Sequence, residues 1–274
     1  MKSKKIAHQL KFQGAHVKSK FLALIAIIAI GSNVFGVEGT NSPYTDVAGD
    51  IGGPGINDAG GTLDILGMEV SHTATDIMFK LTLNGNVATT DWGYFMIGIS
   101  TGSTATTNTG NGWNRPIQLN SPLGGMDYWI GSWVNAGGGS QLWSFDGASW
   151  TNNGALPSYV LTPGSTSTID YTATLASLGL SANDTFYFDA YTTGGGGTDS
   201  AVDALANPNV SITTWDQPYT SQTTASGGLG LNSYTVTAAV PEPATIILFG
   251  IGGIGAWLVR RNRLKTNEKC EDDL

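Results

Sequence analysis

The stretch DIMFKLTLNG, residues 76–85, alternates strictly: Ile77, Phe79, Leu81 and Leu83 fall on one side of an extended chain, Met78, Lys80, Thr82 and Asn84 on the other. A helix would scatter these apolar residues around its axis, whereas the two-residue period of a strand gathers them on one face. The pattern predicts a half-buried antiparallel strand. Its expected partner is the preceding GTLDILGMEVS, with the hairpin turn running from His72 to Asp76. Comparable runs follow in WGYFMIGIS, where Phe95, Ile97 and Ile99 share a face, then in MDYWIGSWV, QLWSF, STIDYTATL and DTFYFDAYT, the last grouping Phe186, Phe188 and Ala190. Stretches rich in Gly, Ser, Thr and Asn separate them, and Asp146-Gly147 is a turn signal after QLWSF. Short helices are expected only at 175–179 and 199–207. Many short strands divided by turns predict an all-β chain, an antiparallel β-sandwich of jelly-roll-like type.

Neither end of the chain fits that pattern. Lys2, Lys4, Lys5, Lys11, Lys18 and Lys20 precede the apolar run FLALIAIIAIGSNVFG. A basic region, an apolar region and small residues in that order predict a secretory signal peptide over 1–36, with Val34 and Gly36 meeting the small-x-small rule and cleavage between Gly36 and Val37. The alternative, an uncleaved anchor, is disfavoured because the run falls short of the ~20 residues of a membrane span. At the other end, 244–259 is apolar and follows Pro241 and Pro243, which cannot continue a helix backward. A single transmembrane helix is expected there. Arg260, Arg261, Arg263 and Lys265 would stop transfer and leave 266–274 as a cytoplasmic tail, with the domain outside the inner membrane. Between the ends lie an exported domain, 37–216, and a final strand with linker, 217–240.

Removing the ends exposes a strong charge imbalance. Residues 37–240 contain 16 acidic residues against Lys80 and Arg115, a net charge of −14. Such a surface repels phosphate backbones, so no nucleic-acid partner is expected. The same span has no cysteine, Cys270 in the tail being the one in the chain. Disulfides and Cys-ligated zinc are therefore excluded from the exported domain.

Asp46, Asp50 and Asp58 lie in the Gly-rich TDVAGDIGGPGINDAGG. Hard carboxylate and carbonyl oxygens in a permissive loop suit calcium, so a structural calcium is the one cofactor expected, with a solvated acidic loop as the alternative. Trp92, Trp113, Trp129, Trp133, Trp143, Trp150 and Trp215 populate the exported domain. Flat rings stack on the apolar faces of sugars, and NGWNRP sets Asn111, Asn114 and Arg115 beside Trp113. Trp113, Asn114 and Arg115 are thus the expected ligand-binding residues, with core packing as the competing role for tryptophan. TGGGGT (193–198) lacks the Lys-Ser/Thr ending of a phosphate loop and reads as a flexible connection. No enzyme is expected: His72, the sole exported histidine, has no nucleophile elbow near it. Paired carboxylates would still permit a membrane-tethered polysaccharide hydrolase, which is kept as the alternative.

Two resemblances add to this reading. DVAGDIGGPG, GGTLDILGMEVSHTATDIMFKLTL and DTFYFDAYTTGGGGTDSAVDALANP are similar to carbohydrate-binding-module-9-like (DOMON-like) β-sandwich domains, over roughly residues 44–216. That resemblance implies sugar-lining aromatics and calcium-binding acidic loops. The terminal region resembles the PEP-CTERM protein-sorting signal: Val240, Pro241, Glu242 and Pro243, an apolar helix, then Arg260, Arg261 and Arg263, within 240–265. It implies an exosortase-type membrane protease as partner, transient residence in the inner membrane, and release to the cell surface or the extracellular matrix, in association with exopolysaccharide and biofilm. The chain continues beyond the arginines as LKTNEKCEDDL, a longer tail than such signals usually carry.

Overall fold

The computed structural model describes residues 37–38, 42–52, 61–89, 92–222 and 230–238, all within the unit spanning residues 35–274. The expected signal peptide with Gly36, the sorting motif and the apolar run at 244–259 lie outside the described residues. No helix among the described residues is long and apolar enough to cross a membrane.

In chain order the strands are β1 (Val37–Glu38), β2 (Tyr44–Thr45), β3 (Ile65–His72), β4 (Asp76–Leu83), β5 (Tyr94–Ser100), β6 (Ile117–Asn120), β7 (Tyr128–Trp133), β8 (Gly139–Phe145), β9 (Trp150–Asn152), β10 (Ser158–Thr162), β11 (Ser167–Thr174), β12 (Thr185–Thr193), β13 (Asp203–Ala204), β14 (Tyr219–Gln222) and β15 (Asn232–Thr235). The first sheet runs β1-β3-β4-β11-β10, with β2 also on β3; the second runs β13-β12-β5-β7-β8-β9, with β15 also on β12. Every pairing in these two sheets is antiparallel. A third, parallel pair joins β6 to β14.

The alternation read from the sequence sets the packing. On β4, Ile77, Phe79, Leu81 and Leu83 are fully buried, while the residues between them are half-buried. They meet Phe95, Ile97, Ile99, Phe186 and Phe188 of the second sheet in one core between the sheets. Phe188 packs edge-on to Tyr44 with ring centroids 5.0 Å apart, and at 6.0 Å from Phe79. Asp146 accepts from the Ala148 and Ser149 amides, closing the expected β8–β9 turn. The final strand belongs to the sandwich: β15 pairs with β12, and Tyr234 and Val236 enter the core.

Two expectations need correction. The wiring is not that of a jelly roll, because β3–β4, β7–β8 and β10–β11 remain neighbours within one sheet. The second sheet alone has Greek-key order, β12 returning beside β5 in β12-β5-β7-β8. Of the two short helices expected, that at 175–179 is present as a single 3₁₀ turn, Ala176–Leu178, whereas the one at 199–207 is replaced by a segment containing β13. There Val202 and Leu205 join the core between the sheets, whereas Ala201 and Ala204 join a second core on the far side of the second sheet. An extended chain can serve two cores on opposite sides, and that demand overrides local helix propensity.

Phe188→Ala should destabilise the domain by roughly 3–5 kcal/mol, the cost of truncating a fully buried aromatic residue. Urea unfolding followed by fluorescence measures it; a loss below ~1 kcal/mol would contradict this packing.

Candidate functional site

The second core lies on the outer face of the second sheet, where Met96, Trp129 and Tyr191 are covered by Ile117 and Leu119 of β6, with Met126 and Val210. This cover stops short of the β7–β8 end, leaving a cleft of about 580 Å³. Its floor is a pattern of large and small residues. Trp129, Gly131 and Trp133 on β7 lie opposite Trp143, Gln141 and Gly139 on β8. A Cβ on Gly131 would overlap the Trp113 ring, one on Gly112 the Trp143 ring, and one on Gly139 the Trp133 ring. Each of these glycines thus seats an indole, and Gly131, in mid-strand on β7, fits the rule that glycine there marks a close approach.

One amide organises two of the rings. Gln141 Oε1 accepts from Trp113 Nε1 at 3.0 Å and from Trp143 Nε1 at 3.2 Å. Trp113 packs edge-on to Tyr94 with centroids 5.5 Å apart, and tilted to Trp133 at 6.4 Å. Tyr94, Trp113, Trp133 and Trp143 are all half-buried and line the cleft.

The NGWNRP turn that delivers Trp113 is built from within. Buried Asn111 donates to the Arg115 and Ile117 carbonyls at 2.8 Å and accepts from the Trp113 and Arg115 amides. Asn114 is exposed at the rim with φ of 54°, a left-handed conformation that Asn tolerates. Arg115 is 6% exposed. Its guanidinium lies 5.0 Å from the Tyr94 centroid and 5.7 Å from that of Trp113. Nη1 donates to the carbonyls of Gly196 (2.7 Å) and Asp199 (3.0 Å) and to Thr193 Oγ1. Residues 193–198, expected as a flexible loop, are therefore held by Arg115, and the Gly196 amide is further tied to Asp199 at 2.8 Å. Of the other tryptophans, Trp129 is buried and stacks on Tyr191, Trp150 packs on Phe145, Trp215 packs against the inter-sheet core, and Trp92 is exposed. His72 is buried, bonded to the Tyr234 hydroxyl at 2.6 Å and the Thr237 carbonyl at 3.0 Å.

A second constellation lies at the start of β3. Carboxylate oxygens of Asp46, Asp50 and Asp203 all lie within 4.8 Å of one another. Asp58, expected as a partner, lies outside the described residues; Asp203 takes part from β13, a role hidden by reading its segment as a helix. The Gly49 amide and Asn84 Nδ2 both donate to Asp64 Oδ2 at 2.8 Å, and the Ile65 amide donates to Asp203 Oδ2 at 2.6 Å. The Gly52 amide reaches the Val202 carbonyl at 2.8 Å, holding the loop against the β13 segment. Burial raises the carboxyl of Asp46 to about 8, that of Asp50 to about 6 and that of Asp203 to about 9; neighbouring carboxylates add to each shift. Asp189, which accepts from Ser221 Oγ and the Ala190 and Ala206 amides, is raised by burial to about 7.

Residues 239–263 match the family described as the PEP-CTERM protein-sorting motif. The chain carries a PEP-CTERM sorting motif. The match spans Val240, Pro241, Glu242, Pro243, Arg260, Arg261 and Arg263, the residues on which the sequence resemblance rested. The motif implies exosortase-dependent sorting to the cell surface. No curated protein and no solved structure matches the chain.

Two outcomes follow from this geometry. Gly131→Ala should displace Trp113 and cost roughly 1–3 kcal/mol in urea unfolding, as overpacking does; an unchanged midpoint would contradict the seating. An acid whose folded pKa is raised contributes stability that is full below its unfolded value near 4 and is lost as pH rises through its folded value. With Asp46, Asp50, Asp189 and Asp203 all raised, Tm in chelator should fall from about pH 4 to about pH 9. A Tm that climbs across that window would contradict the shifts.

Proposed function

We propose that this chain is an exported surface or matrix protein whose β-sandwich binds glycan in the Trp113–Trp133–Trp143 cleft. The observation that carries the reading is the floor itself: three half-buried indoles, each seated on a glycine and two of them fixed by Gln141. Rings held in place lose little freedom when a sugar stacks on them, which favours binding. The cleft's volume falls within the ordinary range for small-ligand sites. Asn114 and Asn135 also line it, and each could bond hydroxyl groups. The two-sheet antiparallel architecture accords with the carbohydrate-binding-module-9-like resemblance.

In this reading the N-terminal segment directs export and is cleaved after Gly36. The apolar segment 244–259 holds the chain transiently in the inner membrane. Exosortase then cuts near Pro241–Pro243, releasing the domain to exopolysaccharide or biofilm. Binding without turnover is preferred because, among the described residues, those lining the cleft include no Asp or Glu, and glycoside hydrolysis ordinarily needs two carboxyl groups beside the bond.

Calorimetry with fragments of the producing cell's own exopolysaccharide should give saturable heat. Trp113→Ala should weaken binding by roughly thirtyfold, the scale of a central tryptophan contact. No heat with the native protein, or shortening of the fragments, would overturn the reading. Mass spectrometry of the extracellular form should find a C-terminus near Pro243; an intact Leu274 would exclude cleavage.

A further inference from the structure

We infer that Asp46, Asp50 and Asp203 bind one calcium ion, with Asp64 supporting the loop that carries the first two. The inference goes beyond glycan binding and concerns a different part of the fold. Three ligand oxygens within 4.8 Å of one another suit a single ion, since oxygens at about 2.4 Å from a shared calcium lie no more than about 4.8 Å apart. The second observation is a set of buried oxygens without hydrogen-bond partners among the described residues: Asp46 Oδ2, both oxygens of Asp50, and Asp64 Oδ1. Asp64 is only 2% exposed, and its other oxygen accepts from Gly49, between Asp46 and Asp50 in sequence. Buried carboxylate oxygens are normally satisfied by hydrogen bonds, a counter-charge or a metal.

Among the described residues, no side-chain cation is placed to supply the counter-charge. Between residues 37 and 240 the only Lys and Arg are Lys80 and Arg115. Lys80 is half-buried and paired with Glu69 at 3.7 Å, and Arg115 is tied to Gly196 and Asp199. His72 is engaged by Tyr234 and Thr237. The donors are all hard oxygens, with no thiolate or imidazole, which selects against zinc and copper. Calcium accepts irregular, carboxylate-rich sites and can complete its shell with carbonyls or water, whereas magnesium demands a near-ideal octahedron. The ion would fasten the loop after β2 to β13 on the second sheet, a contact now carried by the Gly52–Val202 hydrogen bond, while Ile65 at the start of β3 donates to Asp203.

The test uses the full-length chain in detergent, stripped with EDTA, dialysed and titrated with calcium chloride alone. Calorimetry should show one saturable site per chain, and Tm should rise with calcium and return on adding EDTA. Asp203→Asn should abolish the binding heat. Because that variant removes a buried group, Asp50→Asn serves as a second test: its oxygens have no hydrogen-bond partner among the described residues, so the circular dichroism should stay native while calcium affinity falls at least about tenfold. Absence of saturable heat, a Tm indifferent to calcium and EDTA, or wild-type affinity in Asp50→Asn would each overturn the proposal. Tighter binding of magnesium than of calcium would overturn the choice of ion.

Discussion

The central strands of the second sheet have almost no solvent face, and this constraint organises the rest of the molecule. β5, β7 and β12 are buried along nearly their whole length. Phe95, Ile97 and Ile99 point into the core between the sheets while Met96, Trp129 and Tyr191 point the other way. A sheet apolar on both faces needs covers on both, so a two-layer sandwich is insufficient. The β6–β14 pair and its flanking loops supply the missing layer over part of the outer face. Where that layer ends, Trp113 lies over Gly131, and the exposed remainder of the aromatic face becomes the cleft. The candidate binding site is thus the open edge of a packing solution.

Charge acts as a second constraint. With two basic side chains against 16 acidic ones, the domain has little means of internal neutralisation. Arg115 is spent on carbonyls and aromatic faces, where a weakly hydrated planar cation is better tolerated than an ammonium. That use fixes residues 193–199 beside Trp113 and Tyr94, so one buried cation shapes the cleft wall. Among the described residues, the aspartates around β3 receive no such partner. Protons or an external cation must balance them, which makes this edge of the sandwich sensitive to its medium, as suits a protein sorted to the cell surface.

Much of the sandwich could be read from its sequence because strand alternation is a local signal. β3, β4, β5, β11 and β12 occur where the period-two runs lie, and the His72–Asp76 hairpin follows from the break between two of them. Sheet order could not be read this way, since pairing β11 with β4 or β12 with β5 depends on long-range packing. The cleft was partly readable. NGWNRP pointed to Trp113, but Asn111 proved to hold the turn from inside, and Arg115 to brace a loop. The spacing W-x-G-x-W at 129–133 with G-x-Q-x-W at 139–143 carried the rest: on paired strands it sets Gly131 against Gln141 and Trp133 against Gly139, so that small residues leave room for rings on one face. Asp203 was missed because its alanine-rich surroundings favour a helix in isolation, while two cores on opposite sides require an extended chain. The sorting motif was the most readable feature, since its order of residues carries the signal without any tertiary contact.

In the proposed function a glycan sits on the indoles fixed over glycine at the β7–β8 end of the second sheet. The indole N–H resonances of the ¹⁵N-labelled protein test it most directly, titrated with oligosaccharides made by partial hydrolysis of the producing cell's exopolysaccharide. The Trp113 and Trp143 Nε1–H signals, which report on the shared Gln141 bond, should shift saturably, while buried Trp129 stays unmoved. Indole signals that remain fixed at every concentration, or shifts confined to exposed Trp92, would contradict it.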